Sequence, residues 1–170
     1  MKKIILLFFC VLALDAKDHM RYYGSDFAPV NNELYKKECA SCHFAYQPGL
    51  LPSSSWKYIM SNLENHYGSD ASLDEADANK ILEYLVANAS ERANYKKSMK
   101  ITRSLQSGVV YTSLTQIPYL QRKHRKIPQN LIQQKEVKSL ARCTACHKEA
   151  ENGIYDDKTV FIPNYGRFDD

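Results

Sequence analysis

Between Ser53 and Tyr67 the apolar side chains Trp56, Ile59, Met60 and Leu63 recur at i, i+3, i+4 and i+7. This spacing predicts an amphipathic helix that stops before Gly68, with His66 continuing its apolar face. Upstream, Asn32 stands where a cap would start a helix running from about Glu33 into residues 39–43, with Leu34 and Tyr35 turned inward. Pro48 and the stretch from Gly49 to Ser55 read as loop. Downstream, Ser72 and Glu75 have capping-box spacing ahead of a strong helix from Leu73 to about Ala89, whose Ala76, Ile81, Tyr84 and Leu85 can pack inward. Residues 30–90 therefore read as one compact helical unit. From Tyr95 onward Gly108, Pro118, Pro128, Gly153 and Pro163 break any long periodicity, and one helix is expected there, from about Gln133 to His147.

The first sixteen residues follow a different pattern. Lys2 and Lys3 precede an unbroken apolar run from Ile4 to Leu14, and Ala16 is a small residue at the expected cleavage point, which reads as a secretory signal peptide. The run is far shorter than the roughly 20 residues a membrane span needs. Leu14 occupies a position where a small residue is usual, so an uncleaved anchor is the alternative reading. Cys10 lacks the small neighbours that would mark a lipidation site. Composition, at 44% hydrophobic and 25% charged over 170 residues, fits one domain or two small ones and points to neither disorder nor a membrane bundle.

With Cys10 removed along with the leader, four cysteines remain, and they form two pairs of identical spacing: Cys39-Ala40-Ser41-Cys42-His43 and Cys143-Thr144-Ala145-Cys146-His147. None is left over for a structural disulfide, although four cysteines in an exported chain would ordinarily suggest two. Two intervening residues and an immediate histidine specify c-type haem attachment. Each thiol adds across one vinyl group of the same porphyrin, and the next residue reaches the iron on one face. A lone pair would read equally as a zinc site or a redox dithiol, but two copies behind a signal peptide favour two covalently bound haem c groups.

The second axial ligand decides between electron transfer and chemistry at the iron. The histidines are His19, His43, His66, His124 and His147, and with His43 and His147 committed as proximal ligands three remain for two distal positions. Met20, Met60 and Met99 compete with them. A histidine on an apolar helical face is more often a hydrogen-bonded core residue, but with an iron nearby to satisfy, His66 is the favoured distal ligand of the first haem. Met60 on the same face reads as packing. His124 sits in the basic run Arg122-Lys123-His124-Arg125-Lys126; no methionine follows Met99, so His124 is the simplest distal ligand of the second haem. Crossed ligation, with His124 on the first haem and His66 on the second, is left open by spacing. His19 reads as a terminal residue.

A haem-binding helix, a loop, a distal ligand and a closing helix ending in Tyr84-Leu85 look like a class I cytochrome c, with His66 in place of the usual methionine. More closely, Glu38-Cys39-Ala40-Ser41-Cys42-His43-Phe44-Ala45-Tyr46, Pro48-Gly49-Leu50-Leu51-Pro52 and Ser55-Trp56 resemble the dihaem cytochrome c family of bacterial periplasms. So do Asn65-His66-Tyr67-Gly68, Ala71-Ser72-Leu73-Asp74, Lys123-His124 and Val137-Lys138-Ser139. The resemblance spans roughly residues 35–163. It implies bis-histidine ligation of both haems and a low-potential electron carrier, in some members serving a small haem protein or a membrane cytochrome b. The expected fold is mainly α: a signal peptide at 1–16, a class I cytochrome c-like haem domain at 17–94, and a less regular second haem-binding domain at 95–170.

Charge is unevenly placed along this frame. Residues 17–94 hold 7 Lys/Arg against 11 Asp/Glu, residues 95–148 hold 12 against 1, and residues 149–170 hold 2 against 6. A nucleic-acid partner is not expected, since the basic stretch lacks interleaved aromatics for base stacking. Haem propionates, an acidic redox partner, or plain solvation of an irregular surface would each account for it. The leading function is thus electron transfer through two closed irons, with redox proteins as partners. The competing class is a haem enzyme or ligand sensor with one open iron, as in dihaem peroxidases, which are much longer chains. The dihaem subunit of periplasmic nitrate reductase also carries two such motifs, but its Pro-rich stretch ending in Ile-Pro-His is not found here.

Overall fold

A computed structural model describes residues 24–168. The signal peptide reading, Cys10, His19 and Met20 lie outside the described residues. Among those described, six α-helices and one two-stranded sheet make a mainly α-helical architecture, in line with the class expected.

Helix α1 (Glu33–Cys39) starts as the sequence predicts, with the Asn32 side chain accepting from the Tyr35 N–H at 2.8 Å. It ends at Ala40, so the first attachment motif crosses a helix terminus and leaves Cys42 and His43 on irregular backbone. A 3₁₀ turn at Pro48–Leu50 follows, held by the buried Trp56 indole N–H donating to the Pro48 carbonyl at 2.8 Å.

Helix α2 (Ser53–Met60) is shorter than its hydrophobic period, and His66 is not on its face. Ser61 Oγ and Asn62 Nδ2 both donate to the Tyr58 carbonyl, at 2.9 and 2.7 Å, and these side-chain bonds replace the helical ladder. The chain passes through a 3₁₀ turn at Leu63–Asn65 into a tight reversal. There His66 and Ser69 exchange backbone bonds of 2.8 and 3.1 Å around Tyr67 (φ 53°) and Gly68 (φ 88°). Gly68 thus serves a hairpin turn with positive φ rather than a helix stop.

Helix α3 (Glu75–Ala87) is capped by Asp74, whose carboxylate accepts from the Asp77 N–H at 3.0 Å. Ser72 is not the cap, because its own N–H is taken by Asp70 at 2.9 Å. Ile81 and Leu85 are buried and α3 packs on α2, while Ala76 faces solvent.

The C-terminal half departs most from expectation. Helix α4 (Lys96–Ser104) was not legible, since Ser98 and Ile101 are its only buried side chains. Helix α5 (Pro118–His124) packs on α4, its Tyr119 N–H donating to Ser104 Oγ at 3.1 Å. The expected helix from Gln133 to His147 does not form. After α6 (Gln129–Gln133) the N–H groups of Val137 and Lys138 both bond to the Gln134 carbonyl, and Lys138 adopts a φ of 66°. The second motif therefore sits on a 3₁₀ turn, Cys143–Ala145, and not at a helix end. Strands β1 (Phe161–Ile162) and β2 (Gly166–Arg167) close the chain as an antiparallel pair.

One hydrophobic cluster runs through both halves, joining Tyr35, Leu50, Trp56, Ile81 and Leu85 to Ile101, Ile117 and Tyr155. The two ends of the described chain are tied as well. Asp26 and Phe27 N–H groups donate to the Gly153 carbonyl at 2.9 and 3.1 Å. A Cβ on Gly153 (φ 73°) would lie 2.4 Å from the Phe27 carbonyl oxygen, so only glycine fits.

Candidate functional site

The first motif emerges from α1 with Cys39 half-buried and Cys42 exposed. His43 Nδ1 lies 2.8 Å from the Phe44 carbonyl, a bond that fixes the ring as an Nδ1–H donor and leaves Nε2 as the free lone pair. The hairpin at Tyr67-Gly68 presents His66 toward it. Their ring centroids are 6.1 Å apart with planes inclined by 33°.

At the second motif, α5 ends in His124, whose Nδ1 lies 2.8 Å from the Leu120 carbonyl one turn back, again leaving Nε2 free. The His124 and His147 centroids are 6.2 Å apart, with planes at 85°. Two imidazoles sharing one metal ion through bonds of about 2.0 Å have centroids roughly 6 Å apart. Both pairs have that spacing. His66 stands beside His43 and His124 beside His147.

The second pair opens onto a cleft of about 1150 Å³, counting the part open to solvent. Ligand pockets are mostly apolar in their lining. Leu114, Leu120, Ile127, Val137, Val160 and Phe168 line this one, and Cys143, Cys146, His124 and His147 all reach it. Burial, and then the neighbouring His124, hold His147 down at about 4, so it is neutral and able to ligate. Burial, and then His43, also lower His66. The thiols are pushed the other way by burial, Cys39 to about 11 and Cys143 to about 12. All four described cysteines are free, and among the described residues no three His, Cys, Asp or Glu side chains converge as a zinc site requires.

A family model for dihaem cytochrome c matches residues 35–155. The chain belongs to the dihaem cytochrome c family. It is 39% identical to a dihaem cytochrome c from Shewanella baltica OS155, with a TM-score of 0.67, covering 81% of this chain and 98% of that one. It is also 36% identical to a dihaem cytochrome c from Rhodobacter sphaeroides, with a TM-score of 0.67, covering 75% of this chain and 99% of that one. None of the curated proteins compared matches. Family membership brings two covalently bound haem c groups and the role of an electron carrier.

Of the methionines weighed as ligands for this dihaem cytochrome, Met60 packs against the hydrophobic cluster and Met99 is exposed. Three residues that no periodicity or candidate-ligand argument singled out join the two sites. The Tyr46 ring lies 4.8 Å from that of His43, and its hydroxyl donates to the Ala141 carbonyl at 2.8 Å. Beside it the buried Gln47 Nε2 donates to the Ala150 carbonyl at 2.6 Å, and Gln47 Oε1 accepts from the Tyr155 hydroxyl at 2.8 Å. The Tyr155 ring in turn lies 5.1 Å from that of His147. A tyrosine and a glutamine one residue apart carry no periodicity, and only their bonds across some hundred positions mark them.

Proposed function

We propose that this dihaem cytochrome is a periplasmic one-electron carrier with both irons closed to substrate. Cys39 and Cys42 would hold one haem and Cys143 and Cys146 the other, and the pairs His43/His66 and His124/His147 would each ligate one iron. The observation that carries this reading is the spacing of the two facing imidazole pairs, 6.1 and 6.2 Å between ring centroids. Haem iron ligated in this way exchanges single electrons and has no vacant position for a substrate.

The protein's own contribution is to orient two of the four rings by hydrogen bonds. The Phe44 and Leu120 carbonyls orient His43 and His124 and raise their donor strength. The cleft at the second site is lined mostly by apolar side chains. A Cys143 thiol held at about 12 is almost wholly protonated at neutral pH, and the thiolate is the reactive form. Lys2 and Lys3 with the apolar run from Ile4 to Leu14 support export. The partners are redox proteins, with a small haem protein and a membrane cytochrome b as the candidates that the family suggests.

Visible spectra of the holoprotein with and without carbon monoxide test the coordination. Low-spin spectra unaffected by the gas are expected in both oxidation states. A carbon monoxide complex at either iron would favour the open-iron reading. Mass spectrometry of protein recovered from the periplasm should find the first 16 residues removed.

A further inference from the structure

On α4, Lys100 and Arg103 are three residues apart and share one exposed face, and Arg122 on the packed neighbour α5 stands beside them. The three line a shallow depression floored by Ser104 and Tyr119, with no acidic side chain in its wall. Nearby cations are already matched: Lys97 pairs with Asp26 at 3.0 Å and Lys123 with Asp157 at 2.7 Å. Lys100, Arg103 and Arg122 form no ion pair among the described residues. The cleft of the second site has basic residues of its own for haem propionates, namely Lys97, Lys123 and Arg142. The outer three do not line that cleft, so the cofactor's own charge does not account for them.

Tyr119 links the two features. It is 7% exposed and lines both the depression and the cleft that holds His124 and His147. The Arg122 guanidinium lies 5.6 Å from its ring centroid. Anything seated on the depression is therefore one aromatic ring away from the second haem site. Like charges gathered on a surface raise the energy of the free protein, and an oppositely charged partner relieves that repulsion and is steered by it.

We propose that the face formed by Lys100, Arg103 and Arg122 docks an acidic redox protein that exchanges electrons with the second haem across Tyr119. This rests on the electron-carrier reading of that site. In each encounter one electron leaves the partner's reduced centre, which is oxidised by one, and reduces the ferric second haem to ferrous. No atom or proton crosses.

Reduced plant-type [2Fe–2S] ferredoxin, a small acidic one-electron protein, serves as the probe against the holoprotein in stopped flow. The variant Lys100→Gln/Arg103→Gln/Arg122→Gln should lower the second-order rate about tenfold at low ionic strength and flatten its salt dependence. Its reduction by a neutral flavin radical should not change. Tyr119→Leu should lower the limiting rate at saturating ferredoxin while half-saturation stays in place. Amide shifts of the holoprotein on adding oxidised ferredoxin should cluster on α4 and α5.

The proposal is overturned if the control variant Lys37→Gln/Lys57→Gln/Lys80→Gln slows the reaction equally, because net charge and not the face would then be acting. It is also overturned if the amide shifts gather around Cys42 and Tyr67, or if the three cations bind phosphatidylglycerol vesicles and not ferredoxin. A holoprotein that the neutral radical fails to reduce would instead overturn the carrier reading, and the amide shifts alone would then judge the docking face.

Discussion

The Tyr46 hydroxyl donates a 2.8 Å hydrogen bond to the Ala141 carbonyl, two residues before Cys143, while its ring stacks 4.8 Å from that of His43. One side chain thus touches the segment that carries each attachment motif. Tyr46→Phe keeps the ring and removes the bond, while the Ala141 carbonyl keeps its 3.0 Å bond from the Cys143 N–H. A loss of about 0.5–1.5 kcal/mol in denaturant unfolding is expected, with both haem spectra unchanged. A loss near zero would mean that the bond does not join the two sites energetically.

His124→Ala should leave the haem at Cys39 and Cys42 low-spin. The haem at Cys143 and Cys146 should become high-spin, bind carbon monoxide and rise in potential, because a strong ferric ligand is lost. Assignment of the changed haem by resonance Raman or paramagnetic NMR checks this. A change confined to the first haem would mean that the axial ligands are crossed in the holoprotein.

The ring planes differ between the pairs, at 33° for His43 and His66 and 85° for His124 and His147. Near-parallel imidazoles lift the degeneracy of the iron d orbitals that they overlap, and perpendicular ones leave them nearly equal. Low-temperature EPR of the oxidised protein should therefore show one rhombic and one highly anisotropic low-spin signal. His124→Ala should remove the anisotropic one. Two rhombic signals would contradict the 85° geometry.

Ile101 on α4 is fully buried in the same cluster as Leu50 and Leu51. Ile101→Ala should cost about 2–5 kcal/mol and shift the loss of both haem environments together. Chemical denaturation followed at each haem's own absorption or NMR signals is the measurement. Two separate transitions, with only the second displaced, would support independent haem domains divided between residues 94 and 95.

The sequence by itself determined the cofactor chemistry, because covalent attachment depends on residue types at fixed short spacing and the two pentapeptides supply it wherever they fold. It also determined α1 with its Asn32 cap, and in α3 the inward Ile81 and Leu85, though not the α3 cap, which is Asp74 and not Ser72. The hairpin that presents His66 was not legible, because Ser61 and Asn62 side chains end α2 by a local competition that hydrophobic period does not register. Helix α4 was missed for the opposite reason: its own sequence buries little, and it gains its burial by packing on α5 and on the Pro48–Leu50 turn. The absent helix before the second motif follows from the same cause, since Val137 and the cleft-lining side chains pack around a site and not along a helical face. Which imidazoles face each other, and that Tyr46, Gln47 and Tyr155 tie the two sites together, were decided by tertiary structure alone. Contacts across about a hundred residues depend on how the whole core closes, and no local pattern encodes them.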